Sequence, residues 1–216
     1  KLAQRGMVFS NAYAPAPTCT PSRKSIQFGK TPGRLGYTFV HDVLALQKEL
    51  SWEDELSLAD VVKAADADYV TAHFGKGMGG DRMDTIGYDV TDEVDGNSTN
   101  GNFHGEYLSL KNRESLPSDN PKRMASLEKS SLEFINEYGG KRPFFMMVSH
   151  YAVHVPHAAR PDLIEKYRKL PRGKYLEDDD YLPEDQISES RKISHWRLQY
   201  AAMLDEVDQG LGAIMA

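Results

Sequence analysis

A single cysteine, Cys19, stands among the 216 residues. That excludes an internal disulfide framework and any metal site built from several thiolates. No apolar run approaches the roughly 20 residues that a membrane-crossing helix needs, and the nearest candidate is Phe144 to Val148. The opening residues, Lys1-Leu2-Ala3-Gln4-Arg5, lack the apolar core of a secretory signal. Basic residues are outnumbered, and the net charge of −6 argues against a nucleic-acid backbone as partner. A small anionic substrate is not excluded, because it needs only a few local cations. What is present, 40% apolar residues over this length, is enough for one sizeable α/β domain or a large part of one.

Lys1 to Arg5 reads as the end of a helix, and Met7 to Tyr13 alternates as a short strand. Pro15 and Pro17 then forbid a regular ladder, so residues 14–18 are extended or turning and deliver Cys19 to a helix from Ser22 to Phe28 that Gly29 ends. Ser57, with Asp60 three residues on, opens a second helix whose Leu58, Val61, Val62 and Ala65 share a face. Asp68 to Phe74 follows as a strand, with Gly75-Lys76 at its end. Residues 77–120 are rich in Gly, Asp, Asn and Ser and read as long surface loops, either selecting substrate or merely solvated.

Another helix runs from about Pro121 to Tyr138, with Met124, Leu127, Phe134, Ile135 and Tyr138 at helical spacing. Pro143 to Ser149 is nearly all apolar, as in a strand buried on both faces. The acidic stretch about Glu177-Asp178-Asp179-Asp180 reads as a solvated loop. A last helix carries Ile193, Trp196, Tyr200, Met203 or Leu204, Val207, Leu211 and Ile214 at steps of three and four, a core-packing stripe. The alternation of helix and strand predicts an α/β layered fold, a central largely parallel sheet flanked by helices on both faces. Ligands in such folds gather beyond the carboxyl ends of strands. Cys19 to Arg23, Gly75-Lys76 and His150 to His157 all lie at such ends, which argues for one site.

Cys19-Thr20-Pro21-Ser22-Arg23 places a guanidinium four residues after a thiol. A lone cysteine is ordinarily a small buried hydrophobe, but a neighbouring cation favours the nucleophilic thiolate. The spacing of His150, His154 and His157 would put zinc ligands on one face of a helix, were Pro156 not there to make a continuous helix unfavourable.

The pentapeptide also matches the pattern C-x-P-S-R, and with Asn11 to Pro17 before it the chain resembles a type I sulfatase of the alkaline-phosphatase superfamily. Four separated segments carry the resemblance in the family's order. It implies that Cys19 is converted to formylglycine by a formylglycine-generating enzyme, and that the hydrated aldehyde attacks sulfur and also ligates calcium. It implies further that Arg23 holds the diol oxygen, that Lys76 binds a sulfate oxygen, and that His154 contacts sulfate and protonates the leaving alcohol. His150 and His157 are read as supporting or structural, and His73 as a half-buried strand residue without function.

The pattern is imperfect at two places. Phe28-Gly29-Lys30 replaces the usual Thr-Gly-Arg, and Met78 stands where a His commonly assists sulfate release. Residues 200–215 resemble the helix that precedes the family's metal-binding Asp-Asn. That pair would fall downstream of Ala216, and the Asp-Asp pair of the first strand upstream of Lys1. Residues 1–216 are therefore read as part of an N-terminal catalytic domain, expected by itself to bind calcium poorly and to turn over little substrate. The resemblance implies a sulfated small molecule or carbohydrate as substrate and a periplasmic or extracellular location. Competing readings are a phosphate or phosphonate monoester hydrolase of the same superfamily, a non-catalytic binder of sulfated glycans, and a Cys-His thiol hydrolase using Cys19 and His154.

Overall fold

The computed structural model describes residues 2–39, 55–79, 82–92, 101, 103–104, 114–170 and 190–216. Six helices are described in chain order: α1 Leu2–Arg5, α2 Cys19–Phe28, α3 Leu58–Ala65, α4 Met124–Tyr138, α5 Pro161–Arg168 and α6 Ser190–Ile214. The strands are β1 Val70–Gly75, β2 Val90–Thr91, β3 Phe103–His104, β4 Glu114–Ser115 and β5 Phe144–Ser149. β2, β1 and β5 form a parallel sheet in that order, and β3 pairs with β4 in a separate antiparallel hairpin. Among the described residues no helix is long and apolar enough to cross a membrane.

β1 is buried along its whole length and sends alternate side chains into two cores. Val70, Ala72 and Phe74 pack with Leu127 and Phe134 of α4 and with Tyr151. The opposite face meets a cluster of Phe28, Leu35, Tyr37, Ala59, Met78, Met83, Ile86 and Tyr88, which Phe145 joins from β5. Helices therefore cover both faces, as the alternation of elements requires. Local chemistry sets their ends. The Ser57 hydroxyl accepts from Asp60 N–H and the Asp60 carboxylate from Ser57 N–H, each at 3.0 Å, closing a capping box on α3. Gly29, at φ 60, ends α2 in the left-handed conformation.

Five expectations are corrected. Met7 to Tyr13 forms no strand; Met7, Val8, Phe9 and Tyr13 are exposed, since alternation alone gives a segment no partner to pair with. β5 is half-buried rather than covered on both faces, because it is the outer strand of the described sheet. The segment after Lys76 is not all surface loop: Met83, Ile86 and Tyr88 enter the core, and β2 joins the sheet. On α6 the packed face carries Ala202, Met203 and Glu206, whereas Tyr200, Leu204 and Leu211 are exposed. Likewise Ala59 is the buried residue of α3, and Val61 points to solvent. The acidic stretch at 177–180 lies outside the described residues.

Candidate active site

α2 begins at Cys19, three residues earlier than the periodicity places it, with Thr18 extended ahead of it. Cys19 thus lies at the helix N-terminus, where unpaired N–H groups favour a negative charge. It is half-buried. Arg23 follows one helical turn later on the same side, and its Nη1 donates to the Lys76 carbonyl at 2.8 Å. That bond joins the Cys19 helix to the end of β1.

Lys76 is placed by backbone contact. Its N–H donates to the Ser149 carbonyl at 2.7 Å, which ties the ends of β1 and β5 together. Gly75 makes this approach possible, since a Cβ there would lie 2.2 Å from the Ser149 carbonyl oxygen and its φ is 94. The Gly75 N–H donates to Asp92 Oδ2 at 2.9 Å. The Lys76 side chain is buried, at 4% exposure. Burial pulls its ammonium below the usual lysine range; the neighbouring Cys19 opposes that pull and the Arg23 charge adds to it. Arg23 is lowered by burial and raised by Cys19 and Tyr151.

His154 sits in the turn after β5, its N–H donating to the Tyr151 carbonyl at 3.0 Å. Its Nδ1 is 2.6 Å from the Val155 carbonyl oxygen. With the proton on Nδ1 the ring donates to that carbonyl and leaves Nε2 as the basic nitrogen. Burial lowers its pKa; the Val155 bond opposes this, and the charges of Lys76, Lys122 and Arg23 lower it further. The four residues singled out from the sequence therefore share one electrostatic neighbourhood: Cys19 acts on Arg23 and Lys76, and both of those cations act on each other or on His154.

With this geometry in view, the comparison with known proteins is direct. The family model described as Sulfatase matches residues 1–216. The chain belongs to the sulfatase family. It is similar to the N-acetylglucosamine-6-sulfatase of Bos taurus, 27% identical over 195 residues, covering 80% of this chain and 33% of that protein. The same enzyme of Homo sapiens is 26% identical over 196 residues, with the same coverage. The chain thus spans about a third of the length of these curated relatives. Two solved structures share its fold. BT4656, in complex with its substrate D-glucosamine-2-N,6-O-disulfate, gives a TM-score of 0.65 at 16% identity, over 95% of this chain and 53% of that one. Ps i-CgsB gives 0.59 at 17% identity, over 95% and 45%. The three-stranded parallel sheet with its helices is accordingly part of the α/β sulfatase fold.

Within this family fold, several side chains depart from expectation. Met78 is 1% exposed and packs in the core beside Phe28 and Tyr37, so it is a structural side chain. His73 is fully buried rather than half-buried, edge-on to Tyr88 with ring centroids 5.3 Å apart. Burial, and then the Arg23 charge, drive its pKa to about 4. His157 feels the Lys122 charge. His150 lines a separate pocket with Asp119, Glu128, Arg160, Glu206 and Gln209. Lys122, Arg123 and Asp92 escaped the sequence reading altogether. They belong to no motif, and only the fold brings their charges to this site.

Calcium is what the family implies for such a site. Among the described residues no group of three His, Cys, Asp or Glu side chains could hold a metal ion. The described residues thus do not themselves form a calcium site.

Proposed function

We propose that this chain forms part of the catalytic domain of an enzyme that hydrolyses sulfate monoesters at Cys19 matured to formylglycine. The observation that carries the reading is the convergence of Arg23 and Lys76 on Cys19, a helix-terminal side chain beyond the end of a parallel strand. The hydrated aldehyde supplies two hydroxyls, one to attack sulfur and one whose deprotonation later expels sulfate.

Arg23 lies one turn from this group and favours its ionised form. Lys76 offers a compact ammonium to the non-bridging sulfate oxygens, and this charge counts for more in a buried site than in water. His154 starts neutral, because burial and three cations disfavour its protonation. A bound sulfate ester offsets those cations and raises the affinity of Nε2 for a proton. That proton can then pass to the departing alcohol oxygen as the ester bond breaks. Relatives acting on N-acetylglucosamine 6-sulfate favour a sulfated carbohydrate as the substrate class. Export and maturation by a formylglycine-generating enzyme go with this reading.

A tryptic mass spectrum of Gly6 to Arg23, from protein made alongside a formylglycine-generating enzyme, tests the maturation. A mass corresponding to aldehyde in place of thiol is expected. An unmodified Cys19, with a control sulfatase converted in the same cells, would instead favour a glycan-binding protein. Rates on matched aryl sulfate and aryl phosphate esters then separate a sulfatase from a phosphatase.

A further inference from the structure

The step into α4 holds the two residues other than glycine that take positive φ among the described residues. Lys122 and Arg123 both take positive φ, 53 and 56. Residues with a Cβ hold this conformation at a cost, and it persists where the surroundings enforce it, often at functional sites. The helix it opens packs by Leu127 against Gly75, where a Cβ would lie 3.0 Å from Leu127 Cδ2, so the start of α4 stands beside the Gly75–Lys76 turn. Lys122 is fully buried, at 0% exposure, and its charge acts on His154 and His157 while Lys76 acts on it. Arg123 acts on Asp92, whose carboxylate holds the Gly75 N–H. One residue of the pair thus adds charge beside Lys76, and the other steadies the carboxylate that orients the turn.

We propose that Lys122 is a positioning residue of this anion site, its buried charge joining those of Lys76 and Arg23 to strengthen binding of the substrate's sulfate group. Lys122 has no surface through which to touch substrate, so it acts through the field it sets at Lys76 and His154. Burial, and then the Lys76 charge, pull its pKa down to about 8. A bound oxyanion opposes the repulsion between the two ammonium groups, so the same pair that resists charging in the free protein favours the anion. The inference rests on the sulfate-ester reading above.

The test is calorimetric titration of inorganic sulfate into the protein at pH 7 and low ionic strength, for wild type, Lys122→Met and Lys122→Arg. KM and kcat for an aryl sulfate are measured alongside. Lys122→Met is expected to bind sulfate on the order of tenfold more weakly and to raise KM more than it lowers kcat. Lys122→Arg, which keeps the charge, is expected to stay within about threefold of wild type. Undiminished sulfate binding by Lys122→Met would overturn the assignment, as would equal losses in the Met and Arg variants, because shape rather than charge would then be at work. Should the Met variant fail to fold, Lys122→Gln supplies the same comparison. A wild-type protein that binds no sulfate would overturn the anion-site reading itself, and this inference with it.

Discussion

Glu206 gives the prediction whose size is best defined. It lies on the packed face of α6 at 6% exposure, and Oε2 has no hydrogen-bond partner among the described residues. Burial raises its pKa from 4.5 to about 7, while the Arg160 charge and backbone N–H oppose the rise and Asp162 adds to it. The protonated acid therefore suits the fold. A carboxyl whose folded pKa exceeds its unfolded value contributes stability fully below pH 4.5 and loses it as pH rises through about 7. At about 1.4 kcal/mol per tenfold change in affinity, the full difference is roughly 3 kcal/mol, and partial screening leaves on the order of 2 kcal/mol to observe. Glu206→Gln keeps the shape and the donor but cannot ionise. Urea denaturation of both proteins should give nearly equal midpoints at about pH 4, with the Gln variant on the order of 2 kcal/mol more stable at about pH 8.5 and the denaturant slope unchanged. A difference that does not vary with pH, or a Gln variant less stable at pH 8.5, would refute the reasoning.

The other predictions concern the active site and its frame. Cys19→Ala is expected to abolish aryl sulfatase activity of the full protein without shifting its melting temperature by more than a degree or two, because Cys19 is half-buried and bonds only weakly to Thr20 at 3.8 Å. Circular dichroism melts and an ester assay check the two halves of that statement. Gly75→Ala should destabilise the fold by about 2 kcal/mol or more, since the added Cβ meets the Ser149 carbonyl and φ is 94. A smaller loss in denaturant titration would show that β1 and β5 separate easily. His154→Gln should remove the alkaline limb of the kcat/KM profile, where the required proton is lost, a limb expected to begin below the ordinary histidine value because burial and then three cations lower that pKa. An unchanged limb would assign the proton to another group.

How much of this was legible in the chain depends on the range of the interaction concerned. The Ser57–Asp60 capping box, the Gly29 helix end and a strand expected over Asp68 to Phe74 and found at Val70–Gly75 were readable because each is decided within a few residues. The nearness of Cys19, Arg23, Lys76 and His154 was expected as well, because their segments lie at strand ends, where an α/β sheet gathers its loops. What failed depended on distant partners. Met7 to Tyr13 alternates as a strand should, yet pairing is settled by a neighbour and not by period. The stripe on α6 held at Met203 and failed at Tyr200, Leu204 and Leu211, which are exposed, because the packed face is completed by Ala202 and Glu206, residues that an apolar period does not single out. Lys122 could not be found by any spacing rule, because a left-handed backbone at a lysine leaves no mark in composition.

Lys122 also brings stability and function into opposition, which yields a final test. A lysine whose folded pKa falls from 10.5 to about 8 lowers stability at neutral pH, and the loss disappears as pH rises through about 8 toward 10.5. Its full size is roughly 3 kcal/mol, and screening leaves on the order of 1–3 kcal/mol to observe. Lys122→Met should therefore stabilise the protein at pH 7 by about that amount, unless lost packing offsets it, and the gain should shrink by pH 10. The same substitution weakens sulfate binding, so sulfate should raise the melting temperature of wild type more than that of the variant, by mass action on the folded state. A purely structural lysine predicts the reverse on both counts, with a variant less stable at every pH and just as responsive to sulfate. The two measurements together distinguish a charge retained for binding from one retained for the fold.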